Sequence, residues 1–94
     1  MENTSEHALV MGLKALTYVV ARDPLTQALM TTTGIGADDI RGQAQDPAFL
    51  GAVVDFLLAR ETDLLDFCAE EHYKPDSIVR LRAEMPGGLA DVWT

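Results

Sequence analysis

Apolar residues recur at helical spacing in several separate stretches of this chain, each closed by a proline, a glycine or a capping residue. The strongest is Asp46-Pro-Ala-Phe-Leu-Gly-Ala-Val-Val-Asp-Phe-Leu-Leu-Ala-Arg60. Asp46 suits the N-cap, and Pro47 suits the first helical position, where its missing N–H costs nothing. At 100° per residue, Phe49, Leu50, Val53, Val54, Phe56, Leu57 and Leu58 cover more than half of the circumference. An arc that wide predicts a central helix over 47–59, buried on several sides. A first helix is predicted over 5–21. Leu9, Leu13, Leu16 and Val20 form the stripe expected to dock on the hub. Met11, Ala15 and Tyr18 form a second strip on another face. A small domain has few core positions left for that strip, so it is expected to be exposed as a dimer or partner surface.

The remaining elements follow from punctuation. Asp23-Pro24 starts a helix to about 33, and Gly34 is a natural residue just past its end. Ile35-Gly36 makes a corner, and a one- or two-turn helix follows over 37–43. Thr62 is expected to cap a helix over 63–72 that buries Leu64, Leu65, Phe67 and Cys68. Tyr73 should plug the corner after it. Lys74-Pro75 separates that helix from the last one, because the residue before proline avoids the helical region. The last helix, 75–85, should bury Ile78 and Leu81, with Val79 beside them. Pro86-Gly87-Gly88 stops it and opens a tail, 86–94, whose Leu89, Val92 and Trp93 are expected to be anchored on the body. No alternation of β-branched residues suggests a strand. The fold class is therefore all-α, a compact bundle of five or six short helices around 47–59, in a single domain spanning 1–94. A faint repeat at an offset of 38 maps Leu29, Met30, Ile35, Asp38 and Ile40 onto Phe67, Cys68, Tyr73, Asp76 and Ile78. Convergence on a common helical corner explains it more simply than duplication.

Composition narrows the setting. Ninety-four residues support one core, and 48% hydrophobic residues exclude a disordered chain. The longest apolar stretch is too short for a membrane span and carries Asp55. The acidic N-terminus does not read as a signal peptide. The single cysteine, Cys68, excludes an internal disulfide framework and suits a cytoplasmic setting. A net charge of −8 repels nucleic acid and anionic membranes, and favours a protein partner.

Few residues suggest chemistry. Cys68 and His72 have metal-ligand spacing, but only one further histidine, His7, exists to complete a site, so no metal is expected. Asp76-Ser77-Ile78 is similar to the attachment motif of acyl carrier proteins, yet Arg80 and Arg82 stand where that face should be acidic. The helices 63–72 and 75–85 could form a helix-turn-helix with Lys74, Arg80 and Arg82 on the second helix. Three bases in so acidic a chain neutralise few phosphates. The acid pairs Asp38-Asp39 and Glu70-Glu71 read as solvated helix surface. There is no serine–histidine–acid set and no phosphate-cradling glycine loop. Asp55 lies on the small-residue side of the hub helix, among Gly51, Ala52 and Ala59. It is the candidate buried polar residue, accepting from a neighbouring helix N-terminus or pairing with an arginine such as Arg22 or Arg41; the alternative is that this narrow side faces water.

Three segments together resemble a family of small bacterial proteins of unknown function: Thr33-Gly-Ile-Gly-Ala-Asp-Asp-Ile-Arg41, Asp46 to Leu58, and Leu81-Arg-Ala-Glu-Met-Pro-Gly-Gly88. The resemblance spans nearly the whole chain. It implies a stand-alone helical protein with no assigned activity, cofactor or site residue. His72-Tyr73-Lys74 departs from it, standing where a glycine-containing turn is expected. The functional expectation is a non-enzymatic, acidic, cytoplasmic interaction or accessory module. It needs no cofactor or small-molecule ligand and acts through a protein partner or a homodimer. Its candidate surface is Met11, Ala15, Tyr18, Leu89, Val92 and Trp93. The alternatives are a helix-turn-helix regulator and a minor enzyme subunit.

Overall fold

Three helices carry a proline in their first turn, as their sequences predict. In the computed structural model, which describes residues 6–86, the elements are α1 (Glu6–Val20), α2 (Asp23–Thr33), α3 (Ala37–Gly42), α4 (Pro47–Leu58), α5 (Glu61–Glu71) and α6 (Pro75–Ala83). Among the described residues there is no strand. Pro24, Pro47 and Pro75 occupy the first turns of α2, α4 and α6. The Asp46 carboxylate accepts the Ala48 N–H at 3.0 Å, so α4 is capped as its sequence requires. α5 starts at Glu61, two residues before the expected position, with Arg60 and not Thr62 at its N-cap.

α4 is the hub. It buries Phe49, Leu50, Gly51, Val53, Val54, Phe56 and Leu57 and packs against α1, α2, α5 and α6. Its most extensive partner is α1.

The face that α1 turns inward is only partly the expected one. Met11 and Ala15 are fully buried and Tyr18 nearly so, together with Ala8, Gly12 and Val19. Of the expected stripe, Leu16 is buried and Leu9 packs partly buried against the core, while Leu13 and Val20 face outward at 42% and 43% exposure. The large-residue stripe was expected to dock, but backbone approach decides the matter. Ala8, Gly12 and Ala15 present a nearly flat surface, and flat surfaces let two helices pack closest. A Cβ added at Gly12 would lie 3.0 Å from the Leu50 Cβ, leaving no room for a larger side chain there. Met11, Ala15 and Tyr18 are therefore core residues, and the expected dimer or partner strip does not exist on them. The apolar residues left outside on α1 are Val10, Leu13 and Val20.

Two smaller expectations also fail. Leu65 and Val79 are exposed, each on the outer side of a helix covered on one face only. Leu89, Val92 and Trp93 lie outside the described residues.

The repeat at offset 38 runs much further than the sequence suggests. α2 and α5 each span 11 residues and match end to end, Asp23–Thr33 against Glu61–Glu71. α1 and α4 end at the matching positions Val20 and Leu58. The buried positions of α1 from Met11 to Val19 match those of α4 from Phe49 to Leu57, apart from Leu13 against Gly51. Both corners turn on a left-handed residue at matching places, Gly34 (φ 76°) and His72 (φ 61°). Each gives its N–H to the carbonyl four residues back, on Met30 and Cys68. Ile35 and Tyr73 then plug the two corners, and Ile40 and Ile78 are buried after them. Helices α1 to α3 and α4 to α6 thus follow one pattern of ends and corners, with α1 packed on α4, although α6 packs on α1, α4 and α5 and α3 has no comparable packing.

Candidate functional site

Each half carries a groove along the outer side of its central helix, and the two grooves differ in what fills them. In the first half the groove lies between α1 and the end of α5. Arg22 stacks over the Tyr18 ring at 3.7 Å and reaches Glu70 at 2.6 Å. Lys14 lies 3.6 Å from Glu71, with its ammonium 5.6 Å from the centre of the Tyr73 ring. These side chains leave a hollow of about 360 Å³. Burial pushes the Tyr18 hydroxyl above its ordinary value, with the Arg22 charge pulling the other way.

The counterpart groove lies between α4 and the end of α2. Arg60 keeps the place of Arg22, with its guanidinium 5.3 Å from the Phe56 ring, and Phe56 keeps the place of Tyr18. The other side chains that fill the first groove are replaced. Ala52 stands for Lys14, Thr32 and Thr33 for Glu70 and Glu71, and Ile35 for Tyr73. Arg60 turns to Asp63 at 2.8 Å, within its own helix start, and has no ion pair across the groove among the described residues. The result is an open hollow of about 720 Å³. Its floor is apolar: Ile35, Ala48, Phe49, Ala52 and Phe56. Its rim is polar: Thr33, Gln43, Asp46, Asp55 and Arg60. A hollow of this size and lining suits apolar side chains held by a few rim contacts.

Asp55 is where sequence reasoning was half right. It has a charged partner, but its own side chain is 56% exposed. The buried member is Arg82, at 7% exposure. Its Nε and Nη2 donate to the two Asp55 oxygens at 2.7 and 2.9 Å. Its Nη1 donates to the carbonyls of Met85 and Pro86 at 3.3 and 3.0 Å. Arg22 and Arg41, the expected partners, sit elsewhere; Arg22 serves the filled groove. Asp55 is thus not a buried polar residue. The side chain of Arg82 spans Gly51, where an added Cβ would meet its Cζ at 3.0 Å and the Pro86 oxygen at 3.1 Å.

The other candidates are dispersed. Cys68 is buried, and burial raises its thiol pKa above the ordinary value. His72 forms the corner, and the described residues contain no group of three histidine, cysteine or acidic side chains placed to hold a metal. Ser77 accepts a hydrogen bond from Arg80 at 3.3 Å. No helix among the described residues is long and apolar enough to cross a membrane. The grooves were missed because the offset was followed only through the corners. Extending it back to the identical pair Arg22 and Arg60 exposes the substitutions of Lys14 by Ala52 and Glu71 by Thr33.

A family model described as "Protein of unknown function (DUF3572)" matches residues 5–88 of the chain. No curated protein and no solved structure matches it.

Proposed function

We propose that this chain, which belongs to the DUF3572 family, acts without catalysis, as an interaction module that receives an apolar segment of a protein partner in the groove on α4. The observation that carries this reading is the contrast between the two halves. On one scaffold, one groove is narrowed to about 360 Å³ by its own Lys14, Glu70 and Glu71, and the other stays at about 720 Å³ over Ala48, Ala52 and the buried side chains of Phe49 and Phe56. An open apolar floor in water is unfavourable by roughly 25 cal/mol per Å² that a partner would cover. The rim, with Asp46, Asp55 and Arg60 spaced around that floor, supplies polar contacts for register more than for affinity.

The helix-turn-helix alternative loses ground on α6. One of its three bases, Arg82, is buried on Asp55 and cannot reach a phosphate. The remaining Lys74 and Arg80 are too few to hold DNA against a net charge of −8. The enzyme-subunit alternative gains no specific support from the groove, whose floor carries no titratable group.

The test transplants the closure from one half to the other. The double variant A52K/T33E installs the Lys14–Glu71 pair in the open groove and leaves net charge unchanged. A protein captured from source cells by the wild type is purified, and its binding to both forms is measured by calorimetry. Binding that falls at least tenfold in A52K/T33E supports the groove as the docking face. Equal binding by the two forms overturns it.

A further inference from the structure

The clasp that seats α6 has no equivalent on α3. Arg82 of α6 crosses Gly51 and grips Asp55, which draws α6 onto α4. The residues 38 positions earlier are Ala44, Leu13 and Thr17. Alanine has no reach, threonine has no charge, and leucine fills the place of the glycine that the guanidinium crosses. α6 packs on α1, α4 and α5, and α3 has no comparable packing. Between α1 and α3 lies a hollow of about 460 Å³. Leu13, Leu16, Val20, Ala37, Ile40 and Ala44 give it an apolar lining, with Arg41 as its charged member.

A ridge of α1 runs beside this hollow. Val10, Leu13, Thr17 and Val20 are all exposed, and steps of 3, 4 and 3 residues place them on one line along the helix. Exposed apolar residues scattered singly need no partner. A ridge beside an apolar hollow is different, because it can fill the hollow of a second copy while that copy's ridge fills its own. The steps read the same from either end. Two such helices laid antiparallel therefore set Val10 against Val20, and Leu13 against Thr17, on either side of a two-fold axis. The Thr17 hydroxyl already donates to the Leu13 carbonyl at 2.9 Å, so covering it strands no donor. Charge points the same way. α1 carries Glu6 and Lys14, which cancel, and the hollow adds Arg41, in a chain of net charge −8. Two copies repel least across this face.

We infer that a second copy of this chain occupies the hollow, in a two-fold dimer whose α1 helices run antiparallel, each ridge seated between α1 and α3 of the other copy. The hollow shares no lining residue with the α4 groove, so the dimer and the docking reading stand apart.

Sedimentation equilibrium of the full chain tests the dimer. The wild type is expected to pass from its 10.2 kDa monomer to a dimer at high micromolar concentration. L13D and T17K alter exposed positions, and circular dichroism should show their helices intact. Each should weaken dimerisation at least tenfold. Their equimolar mixture should recover most of that loss, because position 13 of one copy faces position 17 of the other and opposite charges there attract. V79D, which charges an exposed apolar residue on α6, should dimerise like the wild type. A wild type that stays monomeric overturns the inference. So does a dimer that survives L13D and T17K, or one that V79D weakens as much as they do. A mixture that associates no more tightly than either variant alone overturns the antiparallel seating.

Discussion

Arg82 grips both carboxylate oxygens of Asp55 across 27 residues of sequence, at 2.7 and 2.9 Å, and is the only buried charged residue among those described. The pair ties α6 to α4, while the third guanidinium nitrogen gathers the two carbonyls where α6 ends. The two partners are unequal. Asp55 stands half in water, but Asp55→Ala leaves the buried Arg82 guanidinium without its counter-charge and should cost about 2 kcal/mol. Arg82→Ala empties a packed site and strands two carbonyls, and should cost about 3 kcal/mol. Urea denaturation of the two variants checks the asymmetry; equal losses would contradict it.

His72 supplies the second prediction. It holds φ at 61° where the matching corner has Gly34 at 76°. A side chain in that region carries a steric penalty that glycine avoids. His72→Gly should therefore raise stability by about 0.5–1 kcal/mol, and Gly34→Ala should lower it by about 1 kcal/mol. Thermal melts read both. A destabilised His72→Gly would mean that the imidazole makes a contact worth more than the strain.

Gly12 gives a prediction of competing signs. Alanine improves helix propensity by about 1 kcal/mol. Here its methyl would press on the Leu50 Cβ and the Met85 Cε, each at 3.0 Å. Met85 can swing aside, but the Leu50 Cβ is fixed to a central helix. Overpacking costs about 1–3 kcal/mol and wins. Gly12→Ala should be destabilised by about 1 kcal/mol in chemical denaturation, and α1 and α4 should move apart in its crystal structure.

Alkaline pH should weaken the fold. Burial raises the Cys68 thiol above its ordinary value near 9.0 and the Tyr18 hydroxyl above 10.0. The native state then holds protons that the unfolded chain has released. Stability is fully present below the unfolded values and is lost as pH climbs through them. Urea midpoints should stay flat to about pH 8.5 and decline above it. Cys68→Ala should remove the first part of that decline, leaving the part due to Tyr18. A midpoint that rises with pH in this range would reverse the argument.

Local chemistry made most of the architecture legible. Proline and cap positions gave the helices, and the apolar arc of 47–58 gave the hub, because those signals act within a few residues. The face of α1 was not legible. Its outcome turns on how closely two backbones approach at Gly12 and Leu50, and hydrophobicity alone favours Leu13 over Gly12. Arg82 escaped for a similar reason. A base in the last turn of a short helix reads as a dipole partner until the neighbouring helix is placed. The groove was written in the differences between two halves, and few identical residues, among them Arg22 and Arg60, reveal that the halves correspond.

The pairing of α1 with α4 also governs when this protein can fold. The helix that covers Ala8, Met11, Gly12 and Ala15 is made only after α2 and α3. Chain emerging from the ribosome before Pro47 thus carries an apolar strip with no cover, and joining α1 to α4 closes a loop whose entropy must be met in one step. Assembly hairpin by hairpin during synthesis is closed to this topology. A nascent chain halted after α3 should be protease-sensitive throughout, and protection should arrive abruptly once α4 clears the exit tunnel.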